Sequence, residues 1–177
     1  MRVIAGEYKG RKLIAPPGSD VRPTSDKVKE AVFSMLAERV IGASCLDIFA
    51  GTGALGIEAL SRGARDCVFC EVSPAAYSAL TENLRFASNA QRYKTDFRLL
   101  LKRTRSKKDI AFVDPPYKAG YYEEVMKMLL DYDIISEGGI VVLERHAGDP
   151  QEYRGFLPTR IKRYGKTQVE FYERIVE

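Results

Sequence analysis

Residues 46–56 read LDIFAGTGALG, an apolar run that leads into a glycine-rich turn and then into a segment of helical composition. Glycines at such a turn adopt backbone conformations that other residues avoid, and they let a ligand approach the main chain closely. The first turn of the following helix also presents free N–H groups to a polar or anionic ligand group. This stretch therefore predicts a strand-turn-helix unit with a ligand site at the turn.

The same order of strand, turn and helix recurs along the chain. Strands that alternate with helices indicate a mostly parallel sheet with helices on both faces, so the predicted fold class is α/β. Residues 2–14 predict a small N-terminal β-hairpin, and the last two strands, on either side of Gly165 and Lys166, predict a final antiparallel hairpin. The predicted strands are 45–50, 67–71, 92–95, 110–113, 139–144, 160–164 and 167–175; the predicted helices are 28–36, with a start signal at 24–26, and 54–62, 74–87 and 121–130.

The length of 177 residues allows one α/β domain with a real core. No apolar run approaches the roughly 18 to 20 residues of a membrane span, and the N-terminus has no apolar signal segment. We therefore expect a cytoplasmic protein that does not bind a membrane. Cys67 and Cys70 lie in an apolar run, which favours a buried strand over a metal or redox site, so no metal is expected.

Positive charge is concentrated in three regions of a chain whose net charge is +4. Such clusters suit contacts with phosphate groups, although a solvated surface explains any single cluster equally well. The three clusters are Arg2, Lys9, Arg11 and Lys12; Lys102, Arg103, Arg105, Lys107 and Lys108; and Arg154, Arg160, Lys162, Arg163 and Lys166.

An acidic residue lies within or directly after each of the first three predicted strands of the alternating region. Asp47 suits a cationic amino-acid moiety better than a pyrophosphate. The carboxylate of Glu71 can accept hydrogen bonds from both hydroxyls of a ribose. Asp96 can accept a hydrogen bond from an adenine amino group. The glycines alone would also fit a dinucleotide, so it is the acids that favour S-adenosylmethionine.

A tetrapeptide, Asp114-Pro115-Pro116-Tyr117, follows the fourth predicted strand. The Asp114 side chain and the Pro115 carbonyl can each accept one N–H of an exocyclic amine and aim the nitrogen lone pair at a methyl donor. The prolines hold that carbonyl rigidly, and Tyr117 can stack on the base, a contact worth about 1–3 kcal/mol. Catalysis would depend on positioning and electrostatics, without a covalent enzyme intermediate. The target base must be unpaired or flipped out to reach this pocket.

The two motifs together resemble those of class I, Rossmann-like methyltransferases that act on amino groups of nucleobases. Residues 2–6, 10–13, 22–30 and 46–64, with Tyr164-Gly165 before the last apolar strand, are similar to the bacterial family that methylates N2 of a guanine in 16S ribosomal RNA. The resemblance covers nearly the whole chain. It implies a Rossmann-like, mostly parallel seven-stranded sheet with a C-terminal antiparallel hairpin.

The resemblance also implies a single methyltransferase domain over residues 1–177. Residues 1–23 would form the N-terminal hairpin and RNA-binding extension, and residues 24–177 the Rossmann-like core. The partner would be 16S ribosomal RNA, either naked or within an assembling small ribosomal subunit, with no obligate protein partner.

Site residues follow from the resemblance position by position. Asp114, Pro115, Pro116 and Tyr117 would be the catalytic residues that hold the guanine. Arg2, Lys9, Arg11 and Lys12 would bind RNA. The cofactor S-adenosylmethionine would be bound by Arg22, Thr24, Asp47, Ala50, Gly51, Thr52, Gly53, Glu71, Asp96 and Phe97.

Two departures from the family pattern concern the adenosine contacts. After the position of Glu71 the family often carries a basic residue and then an acidic or polar one, whereas this chain has Val72-Ser73. After the position of Asp96 the family often carries a small residue, whereas this chain has Phe97.

Three other hypotheses stay open. A DNA adenine-N6 methyltransferase could use the same tetrapeptide, although the chain lacks room for a separate DNA-recognition domain. A non-enzymatic RNA-binding or assembly protein would not need an intact tetrapeptide and glycine-rich turn. A dehydrogenase would leave the tetrapeptide without a role.

Overall fold

The computed structural model describes residues 1–18 and 25–176. The described residues form a seven-stranded sheet with the strand order β3-β2-β1-β4-β5-β7-β6. The strands from β3 to β5 are parallel, whereas β7 pairs antiparallel with both β5 and β6. The strands are β1 (Ser44–Asp47), β2 (Asp66–Glu71), β3 (Ala90–Lys94), β4 (Lys108–Val113), β5 (Ile135–His146), β6 (Phe156–Tyr164) and β7 (Thr167–Arg174).

Five α-helices of the described chain cover the two faces of this sheet. One apolar core contains side chains of α1, α2 and α3, and the other contains side chains of α4 and α5. The helices are α1 (Asp26–Leu36), α2 (Ala54–Ser61), α3 (Pro74–Asn83), α4 (Phe97–Arg103) and α5 (Tyr122–Asp131). The predicted α/β class is confirmed, as are the seven-stranded, mostly parallel sheet and the C-terminal antiparallel hairpin.

Several predicted boundaries differ from the structure. Strand β1 ends at Asp47 rather than at residue 50, because the chain already turns there and the Gly53 N–H donates to the Ala50 carbonyl at 2.8 Å. Strand β5 begins at Ile135, well before the predicted residue 139, and its pairing with β4 passes through a register shift. The helix α4 was not predicted at all. It begins after Asp96, whose side chain accepts from the Arg98 N–H, and it buries Phe97, Leu100 and Leu101.

The N-terminal β-hairpin is a short antiparallel pairing between Arg2 and Lys12. The Val3 N–H donates to the Arg11 carbonyl at 2.9 Å, and the Gly10 N–H donates to the Val3 carbonyl at 2.9 Å. Val3 and Leu13 are buried in the core that α1, α2 and α3 share. The hairpin is therefore packed against the helices of the sheet.

A buried carboxylate of α2 holds the first strand of this hairpin in place. The two oxygens of Glu58 accept from the N–H groups of Ile4 and Ala5, at 2.9 and 3.1 Å. The same carboxylate lies 3.4 Å from the Lys29 ammonium and 2.9 Å from the Arg62 guanidinium. The Glu58 and Lys29 side chains are both 0% exposed, so neither charge is hydrated. Removing one partner would leave the other charge buried without compensation.

Among the described residues, no helix has both the length and the apolar character of a membrane span.

We expect Glu58→Ala to lower the free energy of unfolding by about 3–5 kcal/mol, the usual loss when a buried ion pair is broken. Urea titration of the full chain measures this change. Glu30→Ala is the matched control, because Glu30 also pairs with Arg62 but its side chain is 54% exposed. The control should lose less than about 1 kcal/mol. Equal, small losses in both variants would show that Glu58 does not anchor the hairpin.

Candidate active site

The parallel strands bring several acidic side chains to one edge of the sheet. Asp47 ends β1 and Glu71 ends β2, while Asp114 directly follows β4. Strand β1 lies between β2 and β4, with Asp47 opposite Phe69 on one side and Phe112 on the other. In an open α/β sheet, ligands bind beyond the carboxyl ends of the strands. These three carboxylates therefore lie where a ligand site is expected.

The three glycines of the turn between β1 and α2 serve different purposes. Gly51 and Gly53 both have left-handed backbones, with φ of 56° and 88°. A Cβ on Gly53 would lie 2.7 Å from Leu80, and one on Gly56 would lie 2.3 Å from the Phe69 ring. A Cβ on Gly51 would meet no atom within 4 Å. The left-handed backbone of Gly53 and the close approach of Phe69 to Gly56 thus favour glycine at the second and third positions, whereas the first position faces open space that a ligand can enter.

Glu71 is fixed beside this turn by two backbone donors. Its Oε2 accepts from the Gly51 N–H at 2.8 Å, and its Oε1 accepts from the Ser73 N–H at 2.9 Å. Each carboxylate oxygen has a second lone pair, so both can still accept a hydrogen bond from a ligand hydroxyl. The geometry leaves the predicted ribose contact of Glu71 available.

Asp47 connects the end of β1 to α2. Its Oδ2 accepts from the Gly56 N–H at 3.1 Å, and the residue is only 3% exposed. Burial raises the pKa of Asp47 to about 7, and the nearby Glu71 carboxylate adds to that rise, against the Gly56 hydrogen bond. The carboxylate thus has a structural role at the turn beside its predicted contact with the methionine moiety of the cofactor.

The predicted adenine contacts lie at the start of α4. Asp96 caps this helix and forms an ion pair with Arg98 at 3.2 Å. Phe97 is 4% exposed, and its ring centroid lies 5.0 Å from that of Phe49 and 5.2 Å from that of Tyr121. The Arg98 guanidinium lies 4.5 Å from the Phe97 ring centroid. Phe49, Tyr121 and Arg98 were not predicted as site residues, because their proximity depends on packing between distant segments.

A second carboxylate lies beside Asp114. Because Val113 pairs with Leu143, the next residue of β5, Glu144, is the neighbour of Asp114 across the strands. Burial raises the pKa of Asp114 well above its ordinary value, and the carboxylates of Glu144 and Asp47 raise it further. Glu144 was not predicted as a site residue, and its only sequence signal is that it ends an apolar run on a parallel strand.

The tetrapeptide continues into a short 3-10 turn over Tyr117–Ala119, which the Ala119 N–H closes by donating to the Pro116 carbonyl at 2.9 Å. Pro115 is buried. The Tyr117 ring lies 4.0 Å from the His146 ring, centroid to centroid. His146 ends β5 and is exposed. The aromatic side chain that we expect to stack on a base is therefore supported by a second ring.

The remaining predicted site residues that the structure describes lie in the glycine-rich turn and on the N-terminal hairpin. Ala50 and Thr52 are buried in the turn, where the Thr52 carbonyl accepts from the Asn83 side chain at 2.9 Å. Arg22 and Thr24 lie outside the described residues. The four predicted RNA-binding residues are all exposed on the N-terminal hairpin: Arg2, Lys9, Arg11 and Lys12.

The hairpin runs along α2 with its tip away from the glycine-rich turn. The Glu7 N–H donates to the Ser61 carbonyl at 2.8 Å, and Ser61 is the last residue of α2. Lys9 therefore lies toward the opposite edge of the sheet from Asp114. The Arg11 guanidinium lies 3.9 Å from the centroid of the Phe86 ring.

Known proteins resemble this chain over nearly its full length. A family model described as conserved hypothetical protein 95 matches residues 1–173. YlbH of Bacillus subtilis strain 168, which carries a provisional rRNA methyltransferase name, is 38% identical over 98% of this chain and 99% of its own length. Ribosomal RNA small subunit methyltransferase D of Escherichia coli strain K12 is 35% identical over 98% of this chain and 90% of its own length.

A solved structure from Escherichia coli has the same fold. It is that of yhhF, which is named provisionally as a methyltransferase, and it superposes with a TM-score of 0.91 at 35% sequence identity. The superposition covers 100% of this chain and 99% of that one.

The raised pKa of Asp47 predicts a pH-dependent cost to stability. A carboxyl whose pKa is about 7 in the folded state, against an ordinary value of 3.8, binds a proton more tightly when folded. Its ionisation therefore destabilises the fold as pH rises from about 4 to about 7. Asp47→Asn removes this charge and keeps an acceptor for the Gly56 N–H. Relative to wild type, this variant should gain stability as pH rises, measured by urea titration at pH 4 to 8.

Asp66 provides a control of opposite sign. Burial alone would raise its pKa, but hydrogen bonds from Ser44 and Arg65 outweigh burial and lower it. A lowered pKa contributes stability above the ordinary value that is lost as pH falls. Asp66→Asn should therefore lose stability relative to wild type as pH rises. The same trend in both variants would contradict the assignment for Asp47.

Proposed function

Because this chain belongs to the family described as conserved hypothetical protein 95, we propose that it methylates the exocyclic N2 amino group of a guanine in 16S ribosomal RNA. The chain is an S-adenosylmethionine-dependent rRNA methyltransferase with a class I fold. What we propose is the target base, the target atom and small-subunit RNA as the substrate. The name of the Escherichia coli relative supports small-subunit RNA as the substrate.

The residues at the turn fit S-adenosylmethionine. Open space faces Gly51, and the Glu71 carboxylate beside it has acceptor sites free for a ribose. Gly53 has no side chain to cap α2, and in the first turn of this helix Asp47 accepts from the Gly56 N–H. The N–H groups that precede Gly56 are those that would bind a carboxylate of the ligand. S-adenosylmethionine, when bound, supplies a methyl group on a positively charged sulfur. We propose that Arg22, Thr24, Asp47, Ala50, Gly51, Thr52, Gly53, Glu71, Asp96 and Phe97 bind this cofactor.

The arrangement of Asp114 beside the β1 turn is the observation that carries the proposal. Strands β1 and β4 are neighbours, so an amine held by the tetrapeptide lies next to a ligand held by the turn. Asp114 Oδ and the Pro115 carbonyl each accept one N–H of the guanine N2 amine. This orients the nitrogen lone pair, which is otherwise delocalised into the ring, toward the methyl group.

Charge at this edge of the sheet favours the same reaction. Methyl transfer would place positive charge on the amine nitrogen, and the Asp114 carboxylate, when ionised, would stabilise that charge and accept the proton that the nitrogen then loses. The raised pKa of Asp114 suits this uptake of a proton. Tyr117, supported by His146, stacks on the guanine. Pro116 keeps the tetrapeptide rigid. An unpaired or flipped-out guanine satisfies these contacts, whereas a paired one cannot reach them.

The remaining proposals concern partners, location and domain organisation. We propose that the exposed Arg2, Lys9, Arg11 and Lys12 bind RNA at a distance from the reacting base. We also propose that the enzyme acts in the cytoplasm, on naked or partly assembled small-subunit RNA, without an obligate protein partner. Residues 1–177 would form one domain, divided into the extension 1–23 and the core 24–177.

We expect Asp114→Ala to lower kcat for methyl transfer to small-subunit RNA by at least roughly a hundredfold, the usual loss when a preorganised polar contact to the reacting group is removed. Binding of S-adenosylmethionine, measured by calorimetry, should stay within about twofold of wild type, since Asp114 faces the amine. Glu137→Ala, on the exposed start of β5, is the control and should keep full kcat. Near-normal kcat in the Asp114 variant would disprove its catalytic role.

A further inference from the structure

The edge strand β6 and the turn that follows it carry unbalanced positive charge. Residues 154–166 contain five Lys or Arg side chains and no Asp or Glu. Arg160, Lys162 and Lys166 are all exposed, and no salt bridge within residues 1–18 and 25–176 includes any of them. We call these three residues the β6 basic surface.

Sheet register places the C-terminal part of this surface, Lys162 and Lys166, near the carboxyl ends of the parallel strands, where the tetrapeptide also lies. His146 pairs with Thr167, which pairs with Tyr164, so the ends of β5 and β6 lie together. The β6 basic surface thus begins two strands away from His146, whose ring contacts Tyr117.

One row of paired residues fixes the distance more closely. Glu144 pairs with Val169, and Val169 pairs with Lys162. Paired residues of neighbouring strands project from the same sheet face. Asp114 adjoins Glu144 on the next strand, so Lys162 lies three strand spacings away, or about 14 Å between main chains at about 4.8 Å per spacing. That distance suits a neighbouring nucleotide of the strand that carries the target base.

A buried polar network holds the turn after β6 rigidly beside the end of β5. Glu170 is 0% exposed and accepts from Arg145 at 2.7 Å and from the Tyr172 hydroxyl at 2.9 Å. The Arg163 guanidinium donates to the Gln168 side chain at 3.0 Å. Arg145 and Arg163 therefore make contacts within the protein, whereas the cations of the β6 basic surface face solvent.

The turn is also joined directly to the segment after β5. The Ala147 N–H donates to the Lys166 carbonyl at 2.9 Å, and the Gly148 N–H donates to the Gln168 side chain at 3.3 Å. A preorganised surface loses little entropy when it binds a strand. The N-terminal hairpin differs, since its tip lies at the far end of α2.

We infer that the β6 basic surface binds backbone phosphates of the RNA strand next to the target guanine. This inference rests on the proposed function, because it takes the tetrapeptide to hold that guanine. Lys162 and Lys166 would contact phosphates nearest the base, and Arg160 would extend the contact along β6. Cations that bind phosphate release counterions, so binding through them depends on salt concentration.

The test compares two double variants that remove the same charges. In the first, Lys162→Gln and Lys166→Gln remove the two charges of the β6 basic surface that lie nearest the target base. In the second, Lys102→Gln and Arg103→Gln neutralise the exposed end of α4, which points away from the tetrapeptide edge. Affinity for unmodified, protein-free small-subunit RNA is measured by fluorescence anisotropy over a range of salt concentrations, with KM and kcat for methyl transfer and a thermal melt to confirm folding.

We expect the β6 variant to bind this RNA roughly tenfold more weakly at moderate salt, and its salt slope to fall by about 1.4, or about 0.7 for each lost phosphate contact with a single strand. KM for RNA should rise by a similar factor while kcat at saturating RNA stays within about twofold. The α4 variant should match wild type in all of these measurements.

Equal salt slopes and KM values in the two variants would overturn the inference. KM and kcat are measured in parallel with particles that contain ribosomal proteins. A defect of the β6 variant that occurs only with these particles would also overturn the inference, because it would assign the surface to a protein partner. If the wild-type chain binds RNA but methylates none of it, the proposed function fails, and the comparison of salt slopes still decides whether the β6 basic surface binds phosphate.

Discussion

The parallel pairing of β4 with β1 is the constraint on which the candidate site depends. It sets Asp47 opposite Phe112, so the glycine-rich turn and the tetrapeptide leave the sheet side by side although they lie far apart in the sequence. Transfer of a methyl group needs its donor and acceptor within bonding reach, and a rigid sheet provides this geometry before either ligand arrives. The next parallel pairing, of β4 with β5, adds Glu144 to the same edge.

Two buried polar networks fix the N-terminal and C-terminal hairpins at different places on the sheet and its helices. The Glu58 carboxylate, with Lys29 and Arg62, holds the N-terminal hairpin on α2. The Glu170 carboxylate, with Arg145, holds the C-terminal hairpin beside the end of β5. Burying a charge is costly unless the charge is paired, so each network depends on all of its partners, and the pairing specifies where each hairpin lies. Both hairpins carry exposed cations, which suits a polyanionic substrate.

Local patterns predicted most of the fold, because apolar runs, glycine turns and capping residues act over a few positions. The position of Asp114 was predictable for the same reason, since it directly follows an apolar strand. Helix α4 was missed because Leu100 and its apolar neighbours lie among basic residues that suggested a charged surface; only packing against the sheet reveals their buried face. Glu144 and His146 were missed because their positions depend on the register of β5 against β4 and β7, which no local pattern contains.

Identification of the methylated nucleoside decides whether this chain methylates N2 of a guanine in small-subunit RNA. The full chain is incubated with methyl-labelled S-adenosylmethionine in three separate samples. These samples contain unmodified small-subunit RNA, the same RNA carrying ribosomal proteins, and duplex DNA. Digested products are then separated and identified by mass spectrometry. We expect labelled N2-methylguanosine from an RNA-containing sample and none from DNA. Labelled N6-methyladenine, or label on RNA at any atom other than N2 of guanine, would contradict it.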